Sequence, residues 1–253
     1  MSGLESFYNR YHLKNNRYGR VIRQQNFTYF YILQTLQKAF KTHFAQSYEV
    51  QLANMSVLDV GCGVGTLALY FGQFAHRVTG LDVSSRAIEI ARKAQRAVGA
   101  KNVIFRRAEL QAEHDHFDLV ICTEVIEHIA DDADFLRQLS KRLHKQGLLL
   151  LTTPSLENAL YRTGFYQRFD AEVGHLRRYT AKGLARLLKK NGFRVLMMRQ
   201  VEGPLRNILF TTRLGWLIRF IRGPLIPLFH QLDMVSVRLF GASDLQVVAV
   251  KEF

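Results

Sequence analysis

The chain has 253 residues, 48% hydrophobic and 22% charged, a balance that excludes a disordered or collagen-like polymer and allows a sizeable core without covalent staples. Its two cysteines, Cys62 and Cys122, exclude a disulfide scaffold and point to a reducing, cytoplasmic compartment. The formal net charge is +14, unevenly spread: residues 51–150 are neutral, while 1–50 carry +5 and 151–253 carry +9. Such a surface suits an anionic partner, whether nucleic acid, an acidic lipid surface or a phosphorylated substrate, or serves solubility alone. The opening residues, MSGLESFYNRYHLKNNR, show no apolar run of the secretory-signal type.

Residues 21–46 read as a helix, with Tyr29, Ile32, Leu33, Leu36 and Phe40 on one apolar stripe. From Val57 the pattern becomes short apolar runs alternating with helical segments. Strands are predicted at 57–60, 76–81, 102–106, 117–122 and 148–153, the last stopped by Pro154. Between them fall helices at 64–74, at 85–98 behind Ser84 or Ser85 as N-cap, and from Asp131 or Asp132 to His144 with Gly147 beyond its end. Thr180 caps a further helix to Asn191, and strands at 193–200 and 245–250 complete the sheet as a hairpin-like pair separated by an insertion. Strands alternating with helices predict a doubly wound, Rossmann-like α/β fold: a seven-stranded, mostly parallel sheet with an N-terminal helix and a helical insertion before the last strand. The division expected is an N-terminal helical cap at 1–50, a core at 51–202 with a lid at 154–179, an apolar, basic insertion at 203–242 and a final strand at 243–253.

The segment VLDVGCGVGTLALYFG places Asp59, Gly61, Cys62, Gly63 and Gly65 between the first strand and the first core helix. Glycines there permit positive φ and close backbone approach to a ligand at a helix N-terminus. The spacing is G-x-G-x-G, unlike the G-x-G-x-x-G of dinucleotide dehydrogenases. Asp82, followed by Val83, ends the next strand, where a carboxylate can accept hydrogen bonds from both hydroxyls of a ribose. Cys62 and Cys122, at neighbouring strand ends, read as buried thiols and not as a redox pair.

Through VLDVGCGVGT, VTGLDVS, FDLVICTEVIEHI and LLLTTPS, the chain resembles the class I S-adenosylmethionine-dependent methyltransferases over residues 55–202 and the terminal strand. The resemblance implies that the 61–65 loop wraps the methionine part of the cofactor and that Asp82 holds the ribose. It places Glu109, where the family usually has Asp, beside Ala108 at the adenine, and Thr123 facing the cofactor.

Glu124-Val125-Ile126-Glu127-His128 is a second constellation. On a helical turn, i, i+3 and i+4 share a face, and two carboxylates with an imidazole make plausible ligands for a divalent ion. The run is similar to that of two metal-dependent branches of the family, the ubiquinone-pathway O-methyltransferases and the enzymes that methylate the terminal ribose of small RNAs. That likeness implies Glu124, Glu127, His128 and His175 as ligands of Mg²⁺ or Mn²⁺. Without metal, His128 or His175 is the general-base candidate, with Glu124 contacting cofactor or substrate.

Arg177, Arg178 and Tyr179 precede a helix on the substrate side; Arg177 and Tyr179 are taken as acceptor contacts, and either arginine suits a phosphate or carboxylate. Tyr161, Phe165, Tyr166 and Phe169 make the lid aromatic. The insertion is apolar but interrupted by Arg206, Arg213, Arg219 and Arg222, so its longest charge-free stretch, 223–232, is too short to span a bilayer. Gly223-Pro224 divides it into two short helices, which either pack on the sheet, pair with a second copy or lie on an anionic membrane surface. The function expected is O-methylation of a hydroxyl on an amphiphilic, glycosyl or lipid-linked acceptor at the cytoplasmic side of a membrane. Two alternatives stand beside it: a metal-dependent RNA 2′-O-methyltransferase, and a scaffold that binds the cofactor without catalysis.

Overall fold

A computed structural model describes residues 27–162, 164, 167–211, 213–221 and 223–252. Helix α1 (Phe30–Phe44) leads through α2 (Tyr48–Leu52) into β1 (Ser56–Val60). The core then runs α3 (Thr66–Phe71), β2 (Arg77–Asp82), α4 (Ser85–Val98), β3 (Val103–Arg107), β4 (Phe117–Thr123), α5 (Asp132–Lys141) and β5 (Leu143–Pro154). After it come α6 (Ala159–Arg162), α7 (Gln167–Val173), α8 (Ala181–Lys190), β6 (Phe193–Val201), α9 (Pro204–Thr211), α10 (Leu225–Phe240) and β7 (Asp244–Lys251), with 3₁₀ segments at Leu110–Ala112, Ile126–His128 and Arg213–Phe220. The sheet has seven strands in the order β3-β2-β1-β4-β5-β7-β6. All pairings are parallel except those of β7, which runs antiparallel to both β5 and β6. The strand order therefore turns back between β1 and β4, and a crevice opens beyond their C-terminal ends, the usual ligand position in such sheets.

The local signals behave as their chemistry requires. Ser84 Oγ accepts from the Ala87 N–H, Asp131 Oδ1 from Asp134 N–H and Thr180 Oγ1 from Gly183 N–H, so α4, α5 and α8 each begin at a side-chain cap. Leu33, Leu36 and Phe40 of α1 are buried against one face of the sheet, with α3 and α4; Leu136, Leu139, Leu184 and Leu188 of α5 and α8 cover the other. The sequence-predicted stretch 21–26 of the first helix lies outside the described residues, as do Phe165 and Tyr166 of the lid.

The border of α5 and β5 differs from the sequence expectation. The helix stops at Lys141, not His144, and the strand begins at Leu143, not 148. The Phe117 N–H donates to the Arg142 carbonyl and Leu143 pairs with Phe117, which draws the chain into the sheet early. The extra residues bulge, and Gln146 takes a positive φ of 63°. The insertion also differs: it forms α9, a 3₁₀ segment and α10 rather than two helices, with Pro224 at the N-cap of α10. Arg206, counted in the sequence among interruptions of an apolar surface, is fully buried. Its guanidinium donates to the carbonyls of Phe27 and Thr28 and pairs with Glu202 at 2.9 Å, which ties the start of α1 to the insertion.

Candidate active site

A cavity of about 920 Å³ opens at the switch point, at the large end of the ~300–1,000 Å³ typical of ligand sites. One end is made by the loop after β1. Gly61 and Gly63 hold φ of 72° and 52°, and a Cβ on Gly61 would lie 2.4 Å from Val125 Cγ2. Asp82 Oδ2 accepts from the Gly63 N–H and its Oδ1 from the Ser84 N–H, both at 2.8 Å, and the Cys62 N–H donates to the Leu81 carbonyl. The loop is thus fastened to the end of β2, with Asp59, Gly61, Cys62, Gly63, Asp82, Val83, Ala108, Glu109 and Thr123 all on the cavity wall. Gly65 is not on that wall; it caps α3 at φ 80°, and Phe105 Cζ would lie 2.5 Å from a Cβ there, so packing and backbone both require a glycine.

The fit to S-adenosylmethionine is testable on Asp59. Its carboxylate is buried, and Oδ2 has no hydrogen-bond partner. Burial, reinforced by Asp82, pushes its pKa up to about 7. An ammonium group placed at the loop would satisfy that oxygen and restore the ionised form. The glycine cradle with its orphaned acid suits the ammonium-bearing methionine end of that cofactor, and the acid ending β2 suits its ribose. Burial pushes the Cys62 and Cys122 thiols up, so both are protonated, unreactive wall and core groups.

The Glu-x-x-Glu-His run does not form the α-helical turn that its spacing suggests. Glu124 takes φ 54°, and Ile126–His128 is a single 3₁₀ turn. The two acids consequently part. Thr152 Oγ1 donates to Glu124 at 2.6 Å, whereas Thr153 Oγ1 donates to Glu127 at 3.0 Å. Of the four expected ligands, Glu127, His128 and His175 converge, with ligand atoms within 4.8 Å of one another, and Glu124 lies outside that group. The Nε2 atoms of His128 and His175 each lie 3.9 Å from Glu127 Oε1, which has no hydrogen-bond partner. The Nδ1 atoms are held from behind, that of His128 by the Gly174 carbonyl at 3.0 Å and that of His175 by Asp170 at 2.9 Å. Burial lowers the pKa of both imidazoles and raises that of Glu127, which Glu124 reinforces. Two neutral imidazoles with fixed tautomers, both aimed at one carboxyl, are arranged as metal ligands are.

The expected acceptor contacts lie elsewhere. Arg177 pairs with Asp132 at 2.8 Å and donates to the Ala130 carbonyl; the Tyr179 hydroxyl donates to Asp132 at 2.9 Å. Neither lines the cavity: both pin the lid to α5, since these two donors, two residues apart in the chain, meet one carboxylate. Arg178, buried, does line it, clasping Asp170 through two bonds of 2.6 and 2.7 Å while its guanidinium lies 5.2 Å over the Tyr161 ring. Asp170 thereby joins Arg178 to His175. Sequence reading missed one polar stretch of the wall: Glu202, Arg206, Asn207, Ser243 and Asp244. Asp244 is buried with Oδ1 lacking a hydrogen-bond partner, its pKa raised by burial, Glu124 and Glu202. Glu124, whose side chain is open to the cavity, is also pushed up to about 7, by partial removal from water among these walls first and by Glu202 next. The only sequence trace of this wall is polar residues, Glu202, Asn207 and Asp244, interrupting apolar runs.

A seven-stranded Rossmann-like sheet with a glycine loop at its switch point and an acid ending β2 defines a cofactor-binding α/β protein. Residues 13–197 match the methyltransferase domain family, and the chain belongs to it. It is similar to the ubiquinone biosynthesis O-methyltransferase of Pelagibacter ubique, 30% identical over 125 residues that cover 49% of this chain and 50% of that one. The enzyme of the same name from Rickettsia akari is 26% identical over 152 residues, 60% and 57% of the two chains. The matched stretch thus spans about half the length of these curated relatives. Among solved structures, the magnesium protoporphyrin IX methyltransferase of Synechocystis PCC 6803 with bound SAH superposes at a TM-score of 0.61 with 20% identity, over 98% of this chain and 97% of that one. The YcgJ protein of Bacillus subtilis gives 0.62 at 16% identity, over 88% and 99%. At these identities the likeness speaks for the fold.

Proposed function

We propose that the chain transfers a methyl group from S-adenosylmethionine to a hydroxyl of an amphiphilic acceptor. The observation that carries this reading is a single cavity whose wall holds the glycine loop and Asp82 together with the proton acceptors Glu124, His128 and His175. When bound, the cofactor supplies an electrophilic methyl on a sulfonium. The chain's own residues orient the acceptor and take its proton. Glu124, with a pKa near neutrality, is suited to remove the hydroxyl proton as oxygen bonds to the methyl carbon. Asn207, Ser243 and Asp244 offer hydrogen bonds to further hydroxyls, whereas Tyr29, Ile32, Phe169 and Val173 offer an apolar wall, a combination that suits a glycosyl or lipid-linked acceptor. Calorimetry with S-adenosylmethionine tests the first part: saturable binding to the wild type, lost in Asp82→Ala, is the expected result, and no binding overturns it. Labelled-methyl transfer into fractionated cell extract tests the second, with label in the lipid or glycan fraction expected; label confined to RNA overturns the acceptor class, and none at all leaves only cofactor binding.

A divalent ion at Glu127, His128 and His175 is a second reading, favoured by the convergence of their ligand atoms. An ion there would lower the pKa of an acceptor hydroxyl. Two imidazoles and one carboxylate suit Mn²⁺ or another transition ion better than Mg²⁺. Equilibrium dialysis is expected to show one Mn²⁺ per chain, lost in Glu127→Gln together with chelator-sensitive turnover. Turnover indifferent to chelator and to Glu127→Gln ends the idea.

A further inference from the structure

Helix α10 carries a buried stripe and an exposed apolar one. The inner one, Ile226, His230, Asp233 and Val237, is buried against α1 and α9. The outer one is Leu225, Leu228, Leu232, Val235 and Leu239, spaced by three and four, and every member is more than half exposed, from 51% to 71%. Phe240, Trp216 and Phe220 are exposed to a similar degree, and Leu205 and Ile208 of α9 also face outward. An exposed apolar surface on this scale marks a contact with something outside the chain.

Charge says what that contact is. Asp233 is the sole acid among residues 203–242, and it is fully buried, accepting from the Tyr31 hydroxyl and from the N–H groups of Gly203 and Arg206. Arg206 is likewise buried in its pair with Glu202. The segment's other charges are Arg213, Arg219, Arg222 and Arg238, all positive, and Arg238 is exposed beside Leu239. A second copy docked on the stripe would offer no exposed acid from this segment to meet Arg238. An anionic bilayer meets both demands, taking the leucines and aromatics into its acyl boundary and Arg238 at its phosphates, and a segment whose remaining charges are all basic suits it.

We propose that the outer face of α10 and the 213–220 segment is a docking surface for anionic lipid bilayers. Its position gives it a purpose. On α9, Leu205 and Ile208 face outward while Arg206 and Asn207 line the cavity, so the same helix borders the membrane face and the acceptor end of the site. An acceptor held in a bilayer then reaches the cavity without crossing water. The surface stands on its own observations and does not depend on the methyl-transfer reading.

Trp216 is the chain's single tryptophan, so the whole protein reports its own docking. Vesicles of phosphatidylcholine with added phosphatidylglycerol are expected to float the protein and shift its tryptophan emission to the blue. Pure phosphatidylcholine vesicles are expected to bind at least fivefold more weakly, and added salt should erode the difference. Leu232→Glu with Leu239→Glu should weaken anionic-vesicle binding at least tenfold, since both side chains leave the acyl boundary. Both positions are exposed, so circular dichroism and S-adenosylmethionine affinity should not change. Absence of flotation and of a blue shift with anionic vesicles overturns the proposal. So does a stable wild-type dimer by light scattering that the double variant dissolves. Loss of cofactor binding in the wild type would instead strike the methyl-transfer reading and leave the surface standing.

Discussion

At the cofactor end of the cavity, the loop contacts come from one stretch of chain, residues 59–84, and they are largely backbone groups: positive-φ glycines and the Gly63 and Ser84 amides gathered on Asp82. The acceptor end is made of side chains from β4, the lid, the end of β6, α9 and the start of β7. Its members hold one another through buried charge, in Arg178–Asp170–His175 and Arg206–Glu202. A backbone cradle accepts one cofactor shape and tolerates little change. A wall of side chains on separate elements can be re-specified residue by residue without disturbing the cradle.

The difference can be broken first at Arg206. Arg206→Ala leaves the partly buried Glu202 without its partner, strips the carbonyls of Phe27 and Thr28 of their donor and frees the start of α1, a loss of about 3 kcal/mol, or roughly 10 °C in melting temperature at ~2–4 °C per kcal/mol. Calorimetric melting checks it, and cofactor affinity of the surviving folded protein should be preserved. A matching fall in affinity would mean that the two ends are not separable. Asp82→Ala should do the reverse, weakening S-adenosylmethionine about 100-fold by removing the acceptor for two loop amides. Asp170→Asn should lower turnover roughly 10–100-fold with cofactor affinity intact, because it releases both Arg178 and the His175 tautomer.

The pH dependence is a smaller test. Asp59 holds its proton to about pH 7 in the folded chain, against about 3.9 when unfolded. The native state therefore binds more protons between those values, and without cofactor its stability falls as pH rises through that window. Asp59→Asn should flatten this part of the melting profile, and cofactor should flatten it in the wild type by pairing with the ionised carboxylate. Smallest of all, Arg177→Ala and Tyr179→Phe should each cost about 1 kcal/mol of stability and leave the acceptor KM unchanged. A raised KM would restore these two as acceptor contacts.

The two ends also differ in how far they were legible. The strand–loop–helix around Gly61, the acid ending β2 and the caps at Ser84, Asp131 and Thr180 are local chemistry, fixed within a few residues. The helix stop at Lys141 was not legible, because the pairing of Leu143 with Phe117 competes with helix propensity from across the sheet. The choice between Arg177 and Arg178 was equally hidden. Adjacent arginines look alike in sequence, and only the positions of Asp132 and Asp170 separate them.

From the sequence alone followed the neutral core, the basic flanks, the alternation that makes a doubly wound sheet, and a glycine loop for a ribose-bearing cofactor. Each is a periodicity or a short-range constraint that no distant contact overrides. The tertiary structure decided the rest: that Glu124 parts from Glu127 at a positive φ, that three of four candidate ligands converge, and that Arg206 is buried while the leucines of α10 are not. Burial and convergence depend on which elements pack together, and a helix with apolar residues on two faces does not reveal which one the core will take.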